Sequence, residues 1–279
     1  MWRQRFNLSL RQRTFYIIVF SIVMLMLMIF SGLFISEGQL KINPGEMNGE
    51  PSLAHLFGTD WLGRDMLART LKGLTLSFGV GIVAALASSV IALLLTLFAS
   101  WNKTTDRMVT WLVDLFLSVP HLVLLLLISF TFGGGFKGVI IGLSLTHWPS
   151  LTRLLRSEML QIKTAKYVGV SQQLGKSRWW VGKHHIVPHL LPQLFIGFTL
   201  LFPHAILHEA SITFLGFGLP SEQPAIGVIL SESMRYLSTG KWWLAVFPGL
   251  SLLIMVGLFD LLGQSLCKWV DPFHGQKGM

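Results

Sequence analysis

Apolar residues fall in long, nearly uncharged runs separated by polar stretches, rather than in the short amphipathic repeats of a soluble helical domain. A hydrocarbon layer of about 30 Å is crossed by about 20 apolar residues in a helix. Six runs of that order predict six membrane-spanning helices: Phe15 to Ile35, Thr75 to Ser100, Val109 to Phe132, Phe136 to Thr152, Leu194 to Gly218 and Trp243 to Cys267. The first is long and no small-residue cleavage site follows it, which predicts a retained anchor rather than a removed signal. Pro120, Pro149, Pro192 and Pro203 predict kinks or breaks, which neighbouring helices can accommodate in lipid. Gly133-Gly134-Gly135 reads as a tight turn between the third and fourth runs. The polar stretch Ser36 to Leu74 is rich in Gly, Pro and acids, the stretch at about 153–193 is basic, and Leu219 to Trp242 is expected to be partly helical. The fold class is therefore an all-α integral membrane protein. Residues 1–74 form an N-terminal arm, first helix and external loop, and residues 75–279 form a five-helix core carrying the basic loop.

Composition agrees. The chain is 52% hydrophobic and 13% charged, about half the charge fraction of soluble domains. A net charge of +9 would suit nucleic acid, but no groove-reading motif accompanies it. Cytoplasmic loops rich in Lys and Arg account for it instead. With the N-terminus inside, 15 of the 22 basic residues are cytoplasmic: Arg3, Arg5, Arg11 and Arg13, then Lys103 and Arg107, seven in the large loop, and Lys268 and Lys277 in the tail. Both termini are thus expected in the cytoplasm. The lone Cys267 excludes an internal disulfide and a cysteine metal cage.

The candidate chemistry is sparse. Gly175-Lys176-Ser177 imitates the end of a phosphate-binding loop, but that motif needs four residues between its glycines and a preceding strand. Here five residues separate Gly169 from Gly175 and Val170 occupies the required position, so the chain is not expected to bind ATP. No nucleophile, base and orienter group convincingly, and the chain is not expected to be an enzyme. Lys166 to Trp180 predicts a short amphipathic helix with Tyr167, Val170 and Leu174 on one face, ended or bent at Gly175. Periodicity alone leaves two roles open, docking into a soluble partner or resting on anionic lipid. Asp60, Arg64 and Asp65 predict a charged tight turn that folds the external loop, with docking of an outside partner as a second role. His204 and His208, four apart in the fifth run, share a helix face. Their imidazoles suit a nickel ion, or hydrogen bonds to neighbouring helices. Glu209 is a further ionisable residue inside the span. Asp114 and Asp260 are expected to pair between helices, and Met24, Met26 and Met28 to fill gaps in the core.

Four segments carry a resemblance to ABC importer permeases of the dipeptide, oligopeptide and nickel family. Gly169-Val170-Ser171, Gly175 and His185-Ile186-Val187-Pro188 keep the glycine-to-proline spacing of the family's cytoplasmic loop, without its Glu-Ala-Ala. His55 to Thr70 resembles the external signature, Ala210 to Pro220 a SFLGLG-like segment, and Trp269-Val270-Asp271-Pro272 the final Asp-Pro. The resemblance implies the type I importer architecture and the second, C-type permease subunit. It implies a related permease, two ATPase subunits that bind ATP and Mg, and an extracytoplasmic binding protein as partners, in a bacterial inner membrane. No cofactor is expected in this chain itself. By analogy Gly169 to Trp180 is the coupling helix, with Gly169, Val170, Ser171, Leu174, Gly175 and Lys176 at the ATPase contact. His204, His208 and Glu209 would line the pathway. The segment from His204 to Gly216 and Thr146-His147-Trp148 are similar to the nickel member, which puts nickel ahead of peptides as substrate, with a metal chelate also open.

Overall fold

The computed structural model describes residues 10–270. Arg3, Arg5, Lys277 and the Asp271-Pro272 pair lie outside the described residues. Among those described, the chain is helical, with no strand beyond an isolated bridge between Thr59 and Asp65. The helices are α1 (Leu10–Phe34), α2 (Met66–Ala99), α3 (Lys103–Ser118), α4 (His121–Thr131), α5 (Gly135–Lys163), α6 (Lys166–Gln173), α7 (Arg178–Val181), α8 (Val187–Phe214), α9 (Ile226–Leu237) and α10 (Trp243–Val270).

The spans differ from the apolar runs in informative ways. Arg11–Phe34, Met66–Ala99, Arg178–Phe214 and Trp243–Trp269 are each long and apolar enough to cross a bilayer. The third run is not one helix: α3 and α4 meet at an angle of 98°. The break falls at Pro120, which cannot donate into the preceding turn and pushes Val119 into an extended conformation (ψ 137). Counted as one bent span, this pair is the fifth candidate. The fourth run sits in α5, whose Ser144, Thr146, His147, Arg153 and Arg156 dilute its apolarity. This helix packs among α2, α3, α4 and α8, so it needs less lipid-compatible surface than a peripheral span. Pro149, Pro192 and Pro203, by contrast, are carried inside continuous helices.

α2 begins at Met66, so the division drawn at residue 74 falls inside a helix. Arg69 and Lys72 made that turn look like loop, but Arg69 is buried and paired. α5 likewise runs on to Lys163, and most of the stretch 153–193 is helical.

Small residues set the packing. Gly73, Ser77, Gly81, Ala84, Ala85, Ser88 and Ala92 are buried along α2, the kind of interface by which membrane helices approach closely. A Cβ at Gly81 would stand 2.8 Å from Ile206 and 3.1 Å from Phe202 of α8. Ser88 donates to the Ser144 carbonyl of α5 at 2.8 Å, so its buried hydroxyl is satisfied across helices. Phe78, Phe202 and Phe259 join α2, α8 and α10, with ring centroids 4.3–5.9 Å apart. α1 flanks α2 and α10 and turns Phe15, Phe20, Val23, Leu27 and Phe30 outward. In water such a face would be a liability; in a bilayer it is the expected exterior.

At the cytoplasmic end predicted by charge, basic residues are tied inward. Arg156 holds Asp106 through two nitrogens at 2.6 and 2.7 Å, and Arg153 reaches Asp114 at 2.8 Å. Lys163 donates to the Ser100 carbonyl and Arg178 to that of Trp101. Asp114 therefore pairs between helices as expected. Asp260 does not: it accepts from Gln264 one turn along its own helix.

Candidate functional site

Three places on this scaffold carry polar chemistry. The first is the segment around Gly58 to Arg69, at the start of α2. Asp60 is buried and fully engaged: its Oδ1 accepts from the backbone of Leu62 and Arg64, and its Oδ2 from Arg64 Nε and Arg69 Nη1, both at 2.7 Å. Arg69 Nη2 continues to Glu232 of α9 at 2.9 Å. Gly63 closes the turn with φ +74, and a Cβ there would overlap the Asn43 carbonyl. Asp65 takes a separate role. It caps α2 by accepting from Ala68 at 2.7 Å, and it holds His55 Nδ1 at 2.7 Å. Glu46 meets the other nitrogen of His55 at 3.2 Å. Two carboxylates on one ring raise the His55 pKa, the Asp65 hydrogen bond contributing most. The structure thus joins Asp60 with Arg64 and separates Asp65 from them. It also adds Arg69, Glu232, His55 and Glu46, whose partners are too far along the chain to be read from spacing.

The second place is the segment after α5. α6 ends at Gln173 and Gly175 turns the chain with φ +79 before α7, so Gly169 to Trp180 is two short helices rather than one. Buried Val168, Val181 and Ile186 fasten this unit to the core. Ser171 donates to the Tyr167 carbonyl at 3.0 Å and accepts from His185 Nε2 at 2.9 Å. Lys176 lies over the Trp180 ring, 4.9 Å from its centroid. Tyr167, Val170 and Leu174 form an outward apolar row, Leu174 being 74% exposed. A Cβ at Gly169 would meet nothing within 4 Å, so its smallness serves no packing inside this chain.

The third place is inside the bundle. His204 is exposed and is not among the three imidazoles whose ligand nitrogens converge. The His208 ring packs against His121 and His147, with centroids 4.4 and 5.3 Å away, and the His121 and His147 rings are 4.5 Å apart. One ligand nitrogen from each of the three lies within 4.8 Å of the others. The break at Pro120 makes this possible by placing His121 at the start of α4, while α5 and α8 supply His147 and His208. Glu209, next along α8, is completely buried and accepts from Thr213 at 2.9 Å. The pair spacing in α8 found one member of the trio. The other two sit 26 residues apart on different elements, and Thr146-His147-Trp148 was the only sequence signal for them.

Membrane-length helices, a buried ion-paired clasp and an anchored short helix with an outward apolar row define an integral membrane protein of the helical-bundle class. The chain belongs to the family described as "binding-protein-dependent transport system inner membrane component", which matches residues 78–274. It is similar to the dipeptide transport system permease protein of Bacillus subtilis, at 29% identity over 97% of this chain and 84% of that protein. It is also similar to the oligopeptide transport system permease protein of Bacillus subtilis, at 29% identity over 91% of this chain and 84% of that one. A chain of the MetNI methionine ABC transporter, solved in inward-facing conformations, shares the fold with a TM-score of 0.61 and 21% identity, covering 74% of this chain and 98% of that one. The protein is a permease subunit of an ABC importer, a multi-pass membrane component, and that class implies a partner ATPase and a substrate-binding protein. These relatives are named for dipeptides and oligopeptides, which favours the peptide alternative over nickel, the substrate that sequence analysis placed first.

Proposed function

We propose that the chain forms half of a peptide-class import pathway, paired with a second related permease. Both termini face the cytoplasm, and the unit from Lys166 to Lys176 seats on one of two ATPase subunits that bind ATP and Mg. The observation that carries this reading is the outward row of Tyr167, Val170 and Leu174 beside an unfilled Gly169, on a base fixed by Val168 and Val181. An apolar row on an anchored unit, with bare backbone beside it, is what a partner cleft grips. Gly169, Val170, Ser171, Leu174, Gly175 and Lys176 are the contact residues on this reading. Asp60, Arg64 and Asp65 hold the external segment on which the binding protein docks. Peptide cargo is supported by the names of the relatives. A second reading, a transition-metal ion such as nickel or its chelate, is favoured by the three imidazoles of α4, α5 and α8.

The test is a reconstituted importer assayed for dipeptide and nickel uptake side by side. Leu174→Glu is expected to abolish ATP-dependent uptake and to release the ATPase from the purified complex. Uptake that persists in that variant, or without any ATPase, would overturn the reading.

A further inference from the structure

We propose that His121, His147 and His208 form a binding centre for a divalent first-row transition-metal ion. Three features point there. First, the donors come from three helices and converge, one nitrogen from each within 4.8 Å of the others. Tetrahedral coordination at 2.0–2.1 Å puts donor atoms about 3.3 Å apart, so closure takes ring rotations and sub-helical shifts rather than refolding.

Second, His147 is 7% exposed and its tautomer is fixed by geometry. Its Nδ1 lies 2.9 Å from the Leu143 carbonyl, which can only accept, so Nδ1 carries the proton. Nε2 is then a lone-pair donor, and it is buried with no hydrogen-bond partner. A backbone carbonyl on the outer nitrogen is the arrangement that orients metal-bound histidines. Third, His121 Nε2 is also buried and unpartnered. No hydrogen bond among the described residues joins the three rings to one another, so the bland role of mutual satisfaction is not what they perform.

The donor set is all nitrogen. Imidazoles select nickel, copper, zinc or cobalt over magnesium and calcium, which want oxygen. α4 begins at His121, and the partial positive charge of a helix N-terminus opposes a cation nearby. With no carboxylate in the trio, the centre is one that holds an ion and lets it leave. Its meaning for transport rests on the metal reading above, whereas binding itself stands apart from it.

The experiment uses the whole importer complex without a histidine tag, stripped with EDTA, in nanodiscs and without ATP. Equilibrium dialysis against Ni²⁺ is expected to give one ion per copy of this chain. His121→Ala, His147→Ala and His208→Ala should each weaken binding at least about tenfold, while His204→Ala leaves it unchanged. Co²⁺ loading should give a visible ligand-field spectrum that the same variants lose. Should the His147 variant fail to assemble, the half-buried His121 and His208 positions carry the test. Absence of stoichiometric Ni²⁺ in the wild-type complex, or equal weakening by His204→Ala, overturns the centre. A complex that imports peptides under ATP yet retains no Ni²⁺ overturns the centre alone and leaves the permease reading standing.

Discussion

Arg69 and Glu232, 163 residues apart in sequence, meet at 2.9 Å, and the same guanidinium holds Asp60 at 2.7 Å. One buried cation therefore ties the Asp60 turn and α2 to α9. Removing one partner of a buried pair leaves an uncompensated charge and costs about 3–5 kcal/mol. Asp60→Ala is expected to destabilise the chain by that amount, since it leaves buried Arg69 with Glu232 as its remaining carboxylate, removes the close partner of Arg64 and frees the Leu62 and Arg64 amides. Glu232→Gln, on the more exposed rim of the pair, should cost clearly less. Thermal unfolding of the two variants in the same detergent checks the order; equal losses would mean that Asp60 is not the hub.

Gly175 separates backbone need from partner contact. Its φ of +79 suits glycine, and asparagine tolerates that region better than branched residues do. Gly175→Val is expected to strain the turn by about 1–2 kcal/mol and to cut ATP-dependent uptake. Gly175→Asn should retain most of it. Uptake and ATPase turnover on reconstituted complexes decide; equal loss in both would move the requirement from φ to side-chain volume.

His55 gives the segment before α2 a pH dependence. Asp65 and Glu46 raise its pKa above the ordinary imidazole value. A raised folded-state value means the stabilisation is complete below about pH 6.5 and is lost as pH climbs through the raised value. Amide exchange at residues 46–65, corrected for intrinsic rate, should therefore be better protected at about pH 5.5 than at about pH 9. His55→Gln should flatten the profile, and an unchanged profile in that variant would exclude this ring as the source.

Packing along α2 supplies an internally controlled pair. At Gly81 a Cβ already crowds Ile206 and Phe202, whereas at Gly79 it meets nothing within 4 Å. Gly81→Leu is expected to cost about 1–3 kcal/mol by overpacking, and Gly79→Leu to be near neutral. Complex yield and thermal midpoints after purification compare them directly.

The apolar runs located the long helices α1, α2, α5, α8 and α10, and the α3–α4 pair as one run, because lipid demands length and apolarity, and both are written locally. What they missed depends on residues distant in sequence. Val109 to Phe132 is apolar on both sides of Pro120, so hydropathy alone gave no sign of a 98° corner. Arg69 read as loop because its neutralising partners are Asp60 and Glu232. The motif Thr59 to Asp65 was legible as a turn, since Gly63 and Asp60 follow local turn chemistry. His208 was found without two of its neighbours: four-residue spacing reports only what one helix places on one side, and the His121 and His147 rings that pack on it arrive on α4 and α5.

Helix continues without a gap from Arg178 to Phe214, passing through one π-turn at Gly182–Ile186. At 1.5 Å per residue this is a rod of about 55 Å, with Trp180 near one tip and His208 near the other. No hinge loop separates them, so a tilt imposed at the tryptophan end arrives at the imidazole as a displacement scaled by the rod's length. The π-turn, Pro192 and Pro203 are the places along the rod where the regular backbone ladder is interrupted, and their stiffness sets how much of that tilt is felt at the far end.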